Sequence, residues 1–200
     1  MSQIIPKRNL AAAGVLAAGL LAWPASGAAE TPQGEASAAE ARTFGVFGTT
    51  AVLAGTGALT GDGDAREASA LGGEIPTLLI GQVLHATAIG WSDQAASEAS
   101  LSDLAISIAG TSIRADFVLG RALAVANDAG FGAASIENLS INGLAVTVTG
   151  EPNQEIPIPG GRLTINEQTM SPGSTVVNAL HVWVDGVADV VVGSATAEVQ

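Results

Sequence analysis

The sequence predicts an all-β protein, a single antiparallel β-sandwich domain that follows a cleaved signal peptide. Two observations carry this prediction. Apolar residues recur with a two-residue period in several stretches, and turn-forming residues, among them 25 glycines and 8 prolines, are frequent in the chain. The 200 residues are 48% hydrophobic and 13% charged, which is enough apolar material for the core of one domain. The absence of cysteine excludes a disulfide scaffold and a cysteine-based zinc site.

The first residues have the order of a secretory signal peptide. Lys7 and Arg8 form a short positive region, and an apolar run follows from Leu10 to Trp23. Pro24 ends the run and small residues come after it. The run is shorter than the roughly 20 residues of a spanning helix. We therefore assign residues 1–28 to a signal peptide; the alternatives are an uncleaved membrane anchor or a buried helix.

Cleavage is expected after Ala28 or Ala29, and the mature protein is expected to be secreted. Loss of Lys7 and Arg8 makes the formal net charge two units more negative than −12. Such an acidic surface repels nucleic acid and anionic lipid headgroups, so neither nucleic acid nor a membrane is an expected partner.

The mature chain begins with segments that lack clear alternation. Residues 29–40 are small, polar and acidic, and predict a flexible leader before a sandwich domain at 41–200. Residues 43–54 read as a strand whose apolar parity switches near Gly48, which suggests a bulge or a strand buried on both faces. Residues 56–74 are rich in glycine, alanine and acidic residues and predict a long loop.

Strand-like runs follow along the rest of the domain. Asp185-Gly186 between the last two runs is a hairpin signal. Two alanine-rich stretches, 94–104 and 121–129, leave a short helix open as an alternative. The predicted strands are 78–89, 113–125, 144–149, 163–168, 176–184 and 188–199.

Two of these runs predict which side chains are buried. In one, a single face carries Ile113, Ala115, Phe117 and Leu119. In the other, Leu144, Val146 and Val148 form the buried face, so a charge at Leu144 is expected to be severe. A weak repeat, residues 99–104 against 134–139, suggests two equivalent strands of one sandwich.

Several strings occur together in a recognisable order. They are SEASLSDLAISIAGTSIR at 97–114, LTINEQ at 163–168, VNALHVWV at 177–184 and ADVVVGSATAEV at 188–199. As a set they resemble the choice-of-anchor P family, over residues 41–199. The resemblance implies a secreted bacterial surface protein of unknown activity, with no catalytic residues to carry over. The family varies its C-terminal anchor, and no anchoring motif follows the last strand here, so no C-terminal anchor is expected.

The two histidines are the first candidates for chemistry. His85 shares a strand face with Val83 and Thr87, and His181 has the parity of Ala179 and Trp183. Either residue could serve as a metal ligand or a general base. Neither has a histidine, cysteine or carboxylate partner at the spacing of a shared face, so a strand histidine that is hydrogen-bonded for structural reasons is the favoured interpretation.

Two polar clusters are further candidates. Asp62, Asp64 and Glu67 alternate in a glycine-rich segment and could bind calcium weakly, against the alternative of a solvated acidic loop. Asn166, Glu167 and Gln168 could form a sugar-binding patch with Trp183 or Trp91 as a stacking platform. The alternative is a turn in which these amides bond the local backbone.

The sequence therefore predicts an exported extracellular or cell-surface protein with a structural or interaction role, without catalysis and without a cofactor. No GxSxG nucleophile motif occurs. The second hypothesis is a carbohydrate- or matrix-binding module whose partner is extracellular matrix or cell-wall polysaccharide. The third is a secreted hydrolase. Scarce aromatic residues, 4% of the chain, weigh against the second hypothesis.

Overall fold

The computed structural model describes residues 31–44 and 48–200, and these residues form two packed antiparallel sheets. The all-β prediction is confirmed, whereas the predicted signal peptide lies outside the described residues. The described residues form β1 (Pro32–Thr43), β2 (Thr50–Gly55), β3 (Ala65–Ile75), β4 (Leu79–Trp91), β5 (Gln94–Ile108), β6 (Thr111–Val125), β7 (Phe131–Glu137), β8 (Ser140–Ile141), β9 (Leu144–Ala145), β10 (Gln154–Ile158), β11 (Gly161–Ser171), β12 (Ser174–Val184) and β13 (Ala188–Val199).

The strands are divided between two sheets. The first sheet has the order β10-β11-β12-β13-β1-β2, and the second has the order β3-β4-β5-β6-β8-β9, with β7 also paired to β6. Each sheet turns one face to the other, and that shared interior holds a core of leucine, isoleucine, valine and alanine. The opposite face of each sheet is called its outer face below.

The first strand corrects one prediction. β1 pairs with β13 from Pro32 onward and with β2 from Ser37 onward, so residues 32–40 of the expected flexible leader at 29–40 belong to a strand of the first sheet. Ala36, Ala38 and Ala39 in this strand are buried. Alanine offers little apolar surface, which is why the segment resembles a linker in sequence. It fits here because the two sheets approach closely and leave room for small side chains only.

A row of kinks crosses the first sheet. In each of five adjacent strands, one residue is left out of the residue pairing with the neighbouring strand. Beyond that residue, the alternation of buried and exposed side chains continues on the other set of positions, so odd-numbered buried residues give way to even-numbered ones or the reverse. Asn166, Gly193 and Ala54 in this row have φ values of 53°, 63° and 46°. A residue in the left-handed region turns an extended chain, so the alternation resumes on the other parity. This first kink row consists of Asn166, Ala179, Gly193, Ala38 and Ala54.

The second sheet has a matching row. Val83, Asp103 and Asn138 have φ values of 46°, 49° and 52°, and the side-chain amide of Asn138 donates to Asp116 at 2.7 Å. The register between β4 and β5 also shifts beside Val83. This second kink row consists of Leu71, Val83, Asp103, Asp116 and Asn138.

The kink in β6 changes the predicted burial of that strand. Ile113 and Ala115 are buried as predicted. Beyond Asp116 the buried residue is Val118, whereas Phe117 and Leu119 are only half-buried. The single buried face predicted for this strand is therefore correct for its first half and wrong for its second.

The core differs on the two sides of the kink rows. One side is filled by large aliphatic side chains, among them Leu104, Ile106 and Leu180. The other side is lined mainly by alanine, in a cluster of Ala95, Ala122, Ala124, Val177, Ala195, Ala197 and Val199. Small side chains bring the sheets closer together, so the sandwich narrows toward its alanine-lined end.

At this narrow end the sheets are joined by hydrogen bonds. The hydroxyl of Ser97 on β5 donates to the carbonyl of Thr196 on β13 at 2.7 Å. The hydroxyl of Thr175 on β12 donates to the carbonyl of Leu123 on β6 at 2.9 Å. Both serine and threonine are buried, so each bond satisfies a polar group that would otherwise be costly to bury.

Two glycines allow the close approach. A Cβ atom on Gly120 of β6 would overlap the carbonyl oxygen of Gly193 on β13. A Cβ atom on Gly193 would lie 3.0 Å from the Cβ of Ala179 and 3.3 Å from the backbone nitrogen of Gly120. The contact between backbones of opposite sheets therefore requires glycine at both positions.

Two further predictions differ from the structure, and one alternative is excluded. The long loop expected at 56–74 is shorter, because β3 begins at Ala65 and pairs with β4. The alanine-rich stretches that left a helix open lie mainly in β5 and β6. Leu144, predicted to be buried, is 74% exposed, whereas Val146 and Val148 do pack against the core.

Candidate functional site

A histidine held between two carboxylates lies on the outer face of the first sheet. His181 of β12 has its Nδ1 atom 2.9 Å from both carboxylate oxygens of Glu167 on β11. Its Nε2 atom lies 2.7 Å from Oδ1 of Asp189 on β13. One imidazole ring, with its side chain 16% exposed, therefore joins three neighbouring strands.

These contacts require a particular charge state. A carboxylate accepts hydrogen bonds and cannot donate them, so both ring nitrogens of His181 must carry protons. The hydrogen bond to Glu167 raises the pKa of His181 above its ordinary value of 6.5, although burial opposes the change. The same hydrogen bond lowers the pKa of Glu167 below 4.5. Folding therefore favours the imidazolium form of His181 between these two side chains.

The network continues along the sheet. The side-chain amide of Asn178 donates to Glu167 at 2.7 Å, and the hydroxyl of Ser194 donates to Asn178 at 2.9 Å. Asn178 and His181 are three residues apart, an odd spacing that would place them on opposite faces of a regular strand. The kink at Ala179 returns both to the outer face, so the first kink row assembles this network.

The arrangement defines what His181 can do chemically. Both of its ring nitrogens are hydrogen-bonded to protein carboxylates, so neither is open to a substrate proton or a metal ion. The favoured interpretation of a structural histidine fits this geometry. Strand-based reasoning missed its partners because Glu167 and Asp189 lie on neighbouring strands; predicted strand pairing across the hairpin at Asp185-Gly186 was the available signal for Asp189.

The second histidine is more open. His85 of β4 lies on the outer face of the second sheet, with Nδ1 3.8 Å from a carboxylate oxygen of Glu67 on β3. Both side chains are well exposed. An exposed pair at this distance contributes little to stability. In the described part of the chain, no serine or threonine hydroxyl is hydrogen-bonded to His85 or to His181.

The candidate calcium cluster is not assembled as one site. Asp64 accepts hydrogen bonds from the backbone and hydroxyl of Thr60, both at 2.8 Å, and from Arg66 at 3.0 Å. These bonds, first that from the Thr60 backbone, lower the pKa of Asp64 to about 2. Glu67 faces His85 instead, and Asp62 is exposed in the turn. Asp64 therefore organises the loop before β3.

The candidate sugar-binding triplet is divided between the two faces of β11. Glu167 points outward to His181, whereas Asn166 is buried and donates to the carbonyl of Gly150 at 3.1 Å. Gln168 donates to Asn166 at 2.6 Å and to the carbonyl of Gly132 at 3.2 Å. The two side-chain amides thus form hydrogen bonds with each other and with nearby backbone carbonyls. This agrees with the alternative to a sugar-binding patch, except that the residues lie in a kinked strand and not in a turn.

The two candidate tryptophans lie on different sheets. Trp183 is on β12 of the first sheet, and its ring centroid is 5.4 Å from that of Phe44. Trp91 ends β4 in the second sheet and is partly exposed. They do not form one stacking platform. Trp91 instead shares the outer face of the second sheet with a groove that sequence reasoning did not identify.

That groove, called the Phe131 groove, has a volume of about 310 Å³. Two cross-strand rows of the outer face form it. One row is polar and carries Thr87, Glu98 and Arg121, with the last two joined at 2.6 Å. The other row is apolar, and its members are Ile89, Ala96, Leu123 and Phe131. The small side chain of Ala96 leaves the depression between its larger neighbours.

The Phe131 groove combines an apolar floor with a charged rim. The Phe131 side chain is 57% exposed on β7. An exposed aromatic ring beside hydrogen-bonding groups is typical of a surface that binds a partner. The sequence signal was weak, because Phe131 stands alone between a glycine-containing turn and a run of small residues.

Comparison of this chain with protein-family models, curated proteins and solved structures gives no match. Within residues 31–44 and 48–200, no helix is long and apolar enough to cross a membrane. The same residues contain no group of three or more histidine, aspartate or glutamate side chains placed to hold a metal ion. A function for the chain must therefore be argued from its own surfaces.

Proposed function

We propose that this chain is an exported protein that acts by surface contact, without turnover of a substrate. The observation that supports this proposal is the Phe131 groove, where an exposed ring and neighbouring apolar side chains lie beside the Glu98–Arg121 ion pair. Burying such a ring against a partner gains free energy through the apolar area removed from water.

The state of His181 supports the absence of catalysis by this residue in the proposal. A general base needs a nitrogen within reach of the substrate proton. In His181 both nitrogens are engaged by Glu167 and Asp189, and breaking either contact would cost a charge-assisted hydrogen bond of a half-buried carboxylate. The third hypothesis, a secreted hydrolase, is therefore less well supported than a contact role.

Cell-wall or matrix polysaccharide is the partner that the groove fits best. The apolar face of a sugar ring packs on an aromatic side chain, and its hydroxyls bond charged side chains. Phe131 offers the first surface, and Glu98, Arg121 and Thr87 offer the second. The carbohydrate-binding hypothesis thus moves from Asn166–Gln168 and Trp183 to the outer face of the second sheet.

Export is part of the same proposal. It rests on the Lys7–Arg8 region, the apolar run and the small residues that follow, together with the resemblance to the choice-of-anchor P family. Mass spectrometry of the mature protein should find an N-terminus close to Ala29 or Glu30. Recovery of the chain from Met1 in the membrane fraction would contradict export.

Co-sedimentation with insoluble cell-wall polysaccharide tests the groove. Phe131→Ala should weaken binding about tenfold, the effect expected for one exposed aromatic anchor. Leu144→Ala is the matched control, because Leu144 is equally apolar and 74% exposed but lies outside the groove. Equal binding by both variants and the unaltered protein would reject the groove as the contact surface.

Weak calcium bridging between acidic molecules stays a separate prediction. Like charges repel over about 10 Å at 0.1 M ionic strength, and a divalent cation relieves that repulsion. Light scattering with calcium and with a chelator measures it. Replacement of Asp62, Asp64 and Glu67 by alanine should reduce the response, and an unchanged signal in all conditions would dismiss cation bridging.

A further inference from the structure

A small cleft lies on the outer face of the first sheet, on the opposite side of the sandwich from the Phe131 groove. Its volume is about 250 Å³. It lies along β1, between β2 and β13, next to the first kink row. Its side walls and floor include Glu35, Ser37, Glu40, Val52, Gly55 and Ser194.

The hydroxyl of Ser37 is the unusual group in this cleft. Ser37 is only 9% exposed, yet in the described part of the chain its hydroxyl has no hydrogen-bond partner. The hydroxyl of Thr111 is unbonded and fully enclosed, but that of Ser37 is not enclosed. Because Ser37 lines the cleft, its oxygen is accessible from the cleft. A ligand that enters the cleft can therefore donate a hydrogen bond to this oxygen, which has no partner within the described residues.

The kink in β1 places a carboxylate on each side of this hydroxyl. Glu35 precedes Ser37 by two residues, the ordinary spacing for a shared strand face. Glu40 follows by three residues, and the parity change at Ala38 brings it to the same face. Among the described residues, neither Glu35 nor Glu40 takes part in an ion pair.

We propose that this cleft binds the side-chain ammonium group of a lysine from another protein or peptide. An ammonium group has three donors and no acceptor, which matches two carboxylates and one hydroxyl. The net charge of −12 also attracts cationic partners by long-range electrostatics. The lysine must come from another molecule, because the one lysine of this chain is Lys7, in the predicted signal peptide.

The cleft favours a narrow cation over the alternatives. Drug-sized ligands occupy pockets of about 300–1,000 Å³, so a smaller cleft suits one unbranched side chain better than a sugar ring. The exposed apolar surface of Val52 lies where the methylene stem of a lysine would pass. Calcium takes about 6–8 oxygen ligands, more than Glu35, Glu40 and Ser37 supply.

The test is a titration of the purified protein with Nα-acetyl-lysine amide, followed by backbone amide chemical shifts. Shift changes should be confined to β1, β2 and the adjoining part of β13. Nα-acetyl-norleucine amide, which has the same chain length without the ammonium group, should cause no saturable change. Calcium chloride and glucosamine are titrated in parallel.

Ser37→Ala and Glu40→Gln should each weaken lysine-amide binding about tenfold, the effect of one hydrogen bond to a charged group. Glu74→Gln on β3, in the second sheet, is the matched control and should bind normally. Phe131→Ala should also bind normally, so failure here is distinguishable from failure of the groove. The amide spectrum shows whether each variant is folded.

Three results would overturn the proposal. The first is equal binding of the norleucine compound. The second is unaltered lysine-amide affinity in both Ser37→Ala and Glu40→Gln. The third is tighter binding of calcium or glucosamine at the same residues, which would assign the cleft to a metal ion or an amino sugar.

Discussion

At the scale of single residues, the imidazolium of His181 links charge to stability. Each of its two bonds joins charged partners that are mostly withdrawn from water. Bonds of this kind contribute about 1.5–3 kcal/mol each, more than neutral hydrogen bonds. If the ring loses its proton, one nitrogen becomes an acceptor and faces a carboxylate that can only accept. The network should therefore weaken when His181 is neutral.

The pH dependence of unfolding follows from the two shifted groups. The pKa of His181 is raised above 6.5 on folding, so its contribution is complete below pH 6.5 and is lost as the pH rises through the folded value. The pKa of Glu167 is lowered below 4.5, so its contribution is present above pH 4.5 and is lost as the pH falls through the folded value. From these two groups, stability should be greatest between pH 4.5 and 6.5.

Urea unfolding at a series of pH values measures this effect. His181→Gln should lower the free energy of unfolding near pH 6 by about 2 kcal/mol and flatten its decline at alkaline pH. His85→Gln is the control, because the exposed His85 contacts Glu67 only at 3.8 Å and should change little. A parallel pH profile for His181→Gln and the unaltered protein would disprove the structural role of this imidazolium.

The residues after β8 give a second prediction at this scale. Leu144→Asp should change the free energy of unfolding by no more than about 0.5 kcal/mol, because its side chain lies in solvent. Val146→Asp should cost about 2 kcal/mol or more, because Val146 packs against the core. Thermal unfolding of the two variants compares them directly. The opposite order of stability would mean that the strand-like alternation at 144–148 describes burial better than the structure does.

At the scale of elements, the kink rows limit how much of the strand structure can be predicted from the sequence. The strands themselves were predictable from alternation, as in β4, β12 and β13. The buried face of each strand was predictable only as far as the next kink, because a kink reverses the alternation of every residue after it. Asn166 and Gly193 are residue types that adopt this conformation readily, but Val83 is not, so composition did not mark every kink. The contact of Glu167 with His181 crosses such a kink, whereas Asp189 was missed because it lies on the neighbouring strand β13.

The contact between the sheets at their kinks gives a prediction about glycine. Gly120→Ala should lower the free energy of unfolding by about 3 kcal/mol, since the added methyl group meets backbone of the opposite sheet, which cannot rotate away. Gly72→Ala is the matched control, because its Cβ would lie 3.8 Å from the carbonyl oxygen of Gly81, an ordinary contact. That variant should be unchanged or more stable by up to about 1 kcal/mol. Chemical unfolding of both variants measures the difference, and a neutral Gly120→Ala would refute the close approach.

At the scale of the whole molecule, the sequence predicted the sandwich but not its full extent. The described part of the expected leader is a central strand, because alanine, serine and glutamate lack the bulky β-branched side chains that mark strands. In this protein those small residues are required by the narrow space between the sheets. The two candidate binding surfaces could not be predicted from the sequence. The Phe131 groove and the Ser37 cleft each combine residues from several strands, and only strand order and register bring them together.

Contact without turnover can be tested by measuring binding and cleavage of polysaccharide together. The purified protein is incubated with isolated cell-wall polysaccharide, and bound protein and released sugar or peptide fragments are quantified in the same samples. We expect saturable binding that depends on Phe131, with no fragments above the level of a protein-free control. Fragment release that is abolished by His85→Ala or His181→Ala would contradict it and identify the protein as a hydrolase.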